Sequence, residues 1–349
     1  MRISGFARRA LGIGAALALL SGCGGSQVGS LPPAAVGAAG KIEPNTGLGK
    51  LKWSVNPPYS VRTKDRYFRG TVPVVIAGFN APGGALALTL ALLDHTDSSG
   101  DYALYYYDYG NSGPVWWSAG VYVSSIILDA GQPAWEWGIT KRGAVWSTFN
   151  TGKWIRYFDN YTSLAVRIPT DPNPYGYLFA TSSKSKTNGS SARGPSGPTL
   201  MLYDPSKPWP HGAWRKTGWG AEQVAGDPGI RYGSKIKLYL EVAALDENGD
   251  VWKLSPVVKS HRFERYSAVQ LGTVECSASH PEITFEEVAA NNDVFFALDR
   301  NEKHAIWSYE PHRQCWDEIG SKRGFTSITT FFNAGFWAVD AKGNLWNVY

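Results

Sequence analysis

Short runs of alternating apolar and polar residues, separated by turns rich in Gly, Asp and Asn, fill the chain from Leu51 to its end, and no convincing amphipathic helix interrupts them. Four hairpins repeat with little change. They run Thr140-Lys-Arg-Gly143-Ala-Val-Trp146, Asp246-Glu-Asn-Gly249-Asp-Val-Trp252, Asp299 to Ile306-Trp307, and Asp340-Ala-Lys-Gly343-Asn-Leu-Trp346. Each is preceded by another strand-like run, such as Ile283 to Glu287 or Ser327 to Phe331. A short run often follows with a second tryptophan, as in Lys153-Trp154-Ile155, Ala213-Trp214-Arg215 and Cys315-Trp316-Asp317. The unit is therefore strand, strand, glycine turn, strand, strand. Four antiparallel strands recurring every 40 to 55 residues or so predict an all-β chain folded as a β-propeller.

Six such units are expected. The first runs from Thr71 to Val121 and the second from Ser124 to Asn160. The third uses Leu164 to Ile168, Tyr177 to Thr181 and Thr199 to Tyr203, separated by a Ser-, Gly- and Lys-rich insertion from Ser182 to Pro198, a surface loop long enough to lie over one face as a flap. The fourth centres on Trp252, with Arg262 to Tyr266 as an outer strand in which Phe263 replaces tryptophan; the fifth carries Trp307, and the sixth ends at Tyr349. That last unit lacks an outer strand, which would leave an open sheet edge. Leu51-Lys-Trp53-Ser-Val55 matches the outer strands around Trp154 and Trp316 and is predicted to pair with the C-terminal unit and close the ring.

The tryptophans have an expected structural use. Trp146, Trp252, Trp307 and Trp346 point between neighbouring sheets, and Trp53 serves the closing strand; burying each ring contributes about 2 to 3 kcal/mol. At Trp146, Trp252 and Trp346 the glycine three residues earlier permits the turn. Trp116, Trp117, Trp135, Trp137, Trp209 and Trp219 fall outside that register, so some of them are expected on surfaces or loops.

The first residues carry an address. Arg2, Arg8 and Arg9 precede the apolar run Ala10 to Leu20, which is too short to span a bilayer and has the length of a secretory signal core. Leu20-Ser-Gly-Cys23 resembles the lipobox of bacterial lipoproteins, and that resemblance implies removal of residues 1–22 and lipidation of Cys23. Residues 23–50, rich in Gly, Ala, Ser and Pro, read as a flexible tether, leaving 51–349 as the propeller domain. Gly24 stands where the enterobacterial retention pattern has Asp, so the expected location is the outer membrane, on its periplasmic or cell-surface side.

Charge narrows the partners. The chain's +5 includes Arg2, Arg8 and Arg9, so the mature protein carries about +2, too little to argue for nucleic acid. Cys276 and Cys315, the remaining cysteines, are either two buried thiols or, after export to an oxidising compartment, a disulfide closing a loop of about forty residues.

From Cys315 to Tyr349 the segments Trp316-Asp-Glu-Ile, Ser327-Ile-Thr, Gly335-Phe-Trp-Ala-Val-Asp340 and Gly343-Asn-Leu-Trp346 resemble the tectonin repeat of the tectonin lectins. The likeness extends to units two, four and five and fades in one and three. It implies a propeller and suggests a carbohydrate ligand. The hairpin alone also resembles the NHL repeat. It is similar as well to the Asp-box of sialidases, with Asp and Gly one residue further apart and no leading Ser.

Motifs of catalysis are missing: there is no HExxH, CxxC, Walker loop or GxSxG, so neither an enzyme nor a cofactor is indicated. Asp246-x-Asn248-x-Asp250 begins like a calcium loop but has Val251 and Val257 where that loop needs Gly and a bidentate acid; it reads as a polar turn. Asp94 to Asp101 is a looser acidic loop. The expected binding residues are aromatics of loops and irregular positions, namely Tyr105, Tyr107, Trp116, Trp117, Trp135 and Trp209, with no metal ligand among them. The expected role is that of a lipid-anchored envelope protein that holds a glycan or another envelope component. A scaffold for an envelope protein complex is the alternative, and a hydrolase or lyase with its site in the central channel a more distant one.

Overall fold

The structure, a computed structural model, describes residues 53–55, 73–80, 87–108, 115–128, 136–148, 153–167, 177–187, 194–203, 214–226, 230–232, 235–237, 241–259, 262–277, 282–291, 294–300, 304–320, 322–331, 335–341 and 345–348. The expected signal segment, the lipidation site Cys23 and the tether all lie outside these residues. Every element described is a strand or a turn.

After β1 (Trp53–Val55), the first sheet holds β2 (Pro73–Asn80), β3 (Ala87–Thr96), β4 (Tyr102–Asp108) and β5 (Val115–Val123). The second holds β6 (Ser125–Leu128), β7 (Glu136–Ile139), β8 (Val145–Ser147) and β9 (Ile155–Phe158). The third holds β10 (Tyr161–Arg167), β11 (Tyr177–Thr187), β12 (Gly197–Tyr203) and β13 (Trp214–Gly220). The fourth begins with β14 (Gln223–Gly226), breaks for a hairpin of β15 (Ile230–Tyr232) and β16 (Lys235–Lys237), and resumes with β17 (Val242–Leu245), β18 (Val251–Lys259) and β19 (Arg262–Gln270). The fifth holds β20 (Phe285–Asn291), β21 (Val294–Asp299), β22 (Ile306–Glu310) and β23 (Cys315–Glu318). The sixth holds β24 (Phe325–Phe331), β25 (Gly335–Asp340) and β26 (Leu345–Val348), with β1 as its fourth strand: Trp53 lies opposite Val348 and Val55 opposite Trp346.

Within each sheet successive strands pair antiparallel in the order of a meander. The first strands of successive sheets lie beside one another, and β24 adjoins β2. This is the β-propeller arrangement, with apolar layers wherever one sheet faces the next. Val242, Ala244 and Trp252 of the fourth sheet pack with Phe179 and Leu200 of the third, and Trp307 and Trp316 of the fifth pack with Val251 and Leu245 of the fourth.

Side chains on the first strands bridge neighbouring sheets. The Val224 amide donates to Ser163 Oγ at 3.0 Å, the Val288 amide to Gln223 Oε1 at 2.8 Å, and the Ile328 amide to Glu287 Oε2 at 3.1 Å. A register shift at the start of the strand precedes Ser163 and Glu287, and one extra residue there turns the following side chain toward its neighbour.

One expectation needs correction. The insertion from Ser182 to Pro198 is not a loop throughout: β11 continues to Thr187 and pairs again with β12 through Lys186 opposite Pro198. Hydroxyl pairs hold this extension, Ser185 and Thr187 each meeting Thr199 Oγ1, at 2.8 and 2.9 Å. Trp137, outside the hairpin register, is fully buried among Ile139, Val145 and Leu164. In β19, Tyr266 stands edge-on to Phe179 at 4.7 Å.

Candidate functional site

Each sheet presents two ends: one carries the hairpin turn between its second and third strands and the link to the next sheet, the other the first-to-second and third-to-fourth connections. The hairpin end is built from one repeated device. In the fourth sheet Asp246 Oδ1 accepts the amides of Asn248 and Asp250 at 2.9 and 3.0 Å, while Oδ2 accepts Trp252 Nε1 at 3.1 Å. In the fifth, Asp299 Oδ1 takes the Ala305 amide at 3.2 Å and Oδ2 takes Trp307 Nε1 at 3.1 Å. In the sixth, Trp346 Nε1 donates to Asp340 Oδ2 at 2.8 Å. The aspartate thus folds the turn with one oxygen and fixes the indole with the other. All three aspartates are buried, their oxygens held by these donors, and the Lys322 ammonium stands 3.5 Å from Asp340 Oδ2.

That geometry disposes of the calcium-like reading, since the oxygens of Asp246 are already committed to its own hairpin. The looser acidic loop resolves in the same way. Asp97 Oδ1 accepts the amides of Ser99 and Asp101 at 2.8 and 3.0 Å, so it forms the hairpin turn of the first sheet, with Ala103 in the place of the tryptophan. In the second sheet Thr140 stands in for aspartate, its Oγ1 accepting the Ala144 amide at 3.0 Å. Among the described residues no group of three or more His, Cys, Asp or Glu side chains could hold a metal ion.

The turns also join the sheets. Gly143 has φ +82° and its carbonyl accepts the Tyr161 amide of the next sheet at 3.1 Å; Gly249 has φ +87° and its carbonyl accepts the Phe285 amide at 3.0 Å. A side chain at Gly249 would meet the Phe285 backbone at 2.9 Å, so this close approach requires glycine. In the fifth sheet His304 holds the corresponding position at φ 42°, and its carbonyl accepts the Phe325 amide at 3.2 Å.

Two groups stand out electrostatically. Glu287 is packed between β20 and β24, and burial pushes its carboxyl up to about 8, against the pull of the Ile328 amide and the Ser327 hydroxyl. Tyr161 is pushed up to about 12 by burial in an aromatic cluster with Phe158, Tyr203 and Trp214. The His304–Glu286 pair, 2.9 Å apart, sits at the hairpin end.

Four of the expected binding aromatics lie on β4 and β5, toward the opposite end of the first sheet. Tyr107 lies opposite Trp116, one step from the pair Asp108 and Val115 where the chain leaves the first sheet; Tyr105 and Trp117 lie slightly deeper, opposite Ser118 and Tyr106. The backbone of these four is described; their side chains are not. Trp135 and Trp209 lie outside the described residues. The strand ends that flank them, Glu136 of β7, Tyr203 of β12 and Trp214 of β13, are at this same end, in the second and third sheets. Cys276 and Cys315 are joined by a disulfide with Cα atoms 5.0 Å apart. The bond fastens the strand-like segment Val274–Cys276 along β23, where Glu275 bridges Trp316 in parallel.

Reasoning from sequence missed the role of the hairpin aspartates, although their recurrence six residues before Trp252 and Trp346 was a usable signal. It also missed Ser163, Gln223 and Glu287, whose side-chain types differ at equivalent places and which therefore leave no repeat pattern.

No protein-family model matches the chain, and no curated protein matches it in sequence. Among solved structures it is similar to YCF48 from Cyanidioschyzon merolae, with 12% identity and a TM-score of 0.46 over 85% of this chain and 98% of that one. It is similar to AofleA from Arthrobotrys oligospora, with 10% identity and a TM-score of 0.45 over 80% and 83% of the two chains. A third similar structure is the Cps50 (Swd1) β-propeller domain of Myceliophteria thermophila, with 11% identity and a TM-score of 0.46 over 79% and 95%.

Proposed function

We propose that this protein is a lipid-anchored envelope β-propeller of six blades, closed by β1, that binds a glycan at the end of the ring opposite the hairpin turns. The observation that carries the reading is the gathering of aromatic positions in three consecutive sheets. Tyr107 and Trp116 stand at that end of the first, and the strand ends flanking Trp135 and Trp209 are at that end of the second and third. Aromatic faces beside polar strand ends are suited to sugar rings, which offer an apolar face and an equatorial rim of hydroxyls. Anchoring through Cys23 and the tether would hold the ring within reach of envelope polysaccharide.

A glycan array probed with the mature, unlipidated protein tests the binding half. Binding that is lost in Trp116→Ala and Trp209→Ala variants of unchanged melting temperature is the expected result, and silence against bacterial and plant polysaccharides alike would end the reading. Cys23→Ser should abolish incorporation of labelled fatty acid in cells; continued labelling would remove the anchor.

A further inference from the structure

The ring is electrically lopsided. Between Ser125 and Gly220, the second and third sheets, the chain carries eleven Lys and Arg against five Asp and Glu; over residues 271–348, the fifth and sixth, it carries six against eleven. Sheets two and five, and three and six, lie across from one another in a six-membered order. The small net charge of the mature chain conceals this separation.

The basic side has a distinct surface feature. β9 and β13 are the outermost strands of the second and third sheets, and they meet through rings: Trp214 stands 5.4 Å from Phe158, edge-on, and 4.9 Å from Tyr161. Exposed cations flank this aromatic seam, Lys153 and Arg156 along β9 and Arg215 and Lys216 along β13. Asp159 engages Arg156. Trp214 Nε1 is buried in the seam without a hydrogen-bond acceptor, a donor whose desolvation is uncompensated.

We propose that the seam between β9 and β13 binds an acidic polysaccharide, its carboxylates or phosphates held by Arg215, Lys216 and Lys153 and its sugar faces laid against the rings. This rests on the glycan reading above and names its ligand class. The chemistry is matched: guanidinium groups grip planar or tetrahedral anions with paired hydrogen bonds, lysines add unoriented charge, and an extended polymer can follow an outer strand as a short ligand cannot.

Affinity of the mature protein should be measured for polygalacturonate, for its methyl ester, and for phosphorylated dextran beside plain dextran, at low and physiological salt. The expected result is binding to one or both anionic polymers at least tenfold tighter than to their neutral partners, weakening as salt rises. Preference between carboxylate and phosphate then identifies the source of the charge. Arg215→Glu with Lys216→Glu should lower anionic affinity at least tenfold, whereas Arg300→Glu at the hairpin end should leave it unchanged, both with unaltered melting temperature. Equal binding of charged and neutral polymers, indifferent to the seam variant, would overturn this inference and leave the glycan reading standing. If no polymer binds, both fall. If the seam variant instead dissolves a self-associated form without changing polymer binding, the basic face is an interface between copies and the inference is overturned.

Discussion

Trp307 Nε1 donates to Asp299 Oδ2 across 3.1 Å inside a hairpin whose turn is held by the other oxygen of the same carboxylate. Asp299→Ala would strand the indole donor and the Ala305 amide together. Buried groups left without partners cost about 1 to 3 kcal/mol each, so a loss of about 2 to 4 kcal/mol is expected in denaturant unfolding. Trp307→Phe should cost a similar amount because it leaves a buried carboxylate oxygen short of a donor. A loss under about 0.5 kcal/mol for both would show that the hydrogen bond is incidental.

Glu287 predicts a pH dependence. Its folded-state value of about 8 lies above the usual 4.5 because burial disfavours the anion. The folded protein therefore holds this proton more tightly than the unfolded chain does. The associated stability is present in full below about pH 4.5 and is lost as pH rises through about 8. Glu287→Gln keeps an acceptor for the Ile328 amide and removes the ionisation. Denaturation midpoints measured from pH 5 to 8.5 should fall for the parent protein and flatten for the variant; identical slopes would exclude Glu287 as their source.

The turn at position 249 should tolerate nothing larger than glycine. Gly249→Ala meets the Phe285 backbone and adopts an unfavourable φ, at an expected cost of about 2 kcal/mol or more. His304→Gly, at the corresponding turn, should be neutral or stabilising by up to about 1 kcal/mol, because it relieves positive φ in a non-glycine residue. Thermal denaturation of both variants tests the assignment, and opposite signs are its signature.

Removal of residues 51–55 would bare the edge of β26, whose partner is β1. Loss of cooperative unfolding or onset of aggregation is expected in light scattering and calorimetry. An unchanged transition would mean that the sixth sheet needs no fourth strand.

Reduction of the Cys276–Cys315 bond, which spans a sequence separation of 39, should lower stability by about 3 to 4 kcal/mol. Exchange of the Trp316 and Cys276 amides, which pair with Val274 and Trp316, should accelerate first. Alkylation of denatured, unreduced protein that labels both thiols would dismiss the bond.

The repeat was legible wherever a tryptophan and a glycine turn recurred, and sheets two, four and six follow from those two residues with little else, while sheet five follows from its tryptophan alone, with His304 in the glycine's place. The closing partner of β26 was legible because Trp53 repeats the context of Trp154 and Trp316. The extent of β11 was not, because serine and threonine suit loops and strands alike until a partner such as Thr199 supplies their hydrogen bonds. Nor was the basic seam, since its lysines and arginines come from strands about sixty residues apart and meet only through Trp214 and Phe158. Tyr105, Tyr107, Trp116 and Trp117 were readable as a list of residues, while their place toward one end of the first sheet emerges only from strand direction.

Gly143, Gly249 and His304 each offer the next sheet the same main-chain oxygen, whatever side chain they carry or lack. A joint written in peptide atoms asks of evolution only that the chain bend left-handed at one spot. Copies of the unit are then free to drift apart in composition while still clasping their neighbours, so faint internal similarity is compatible with a tightly jointed ring.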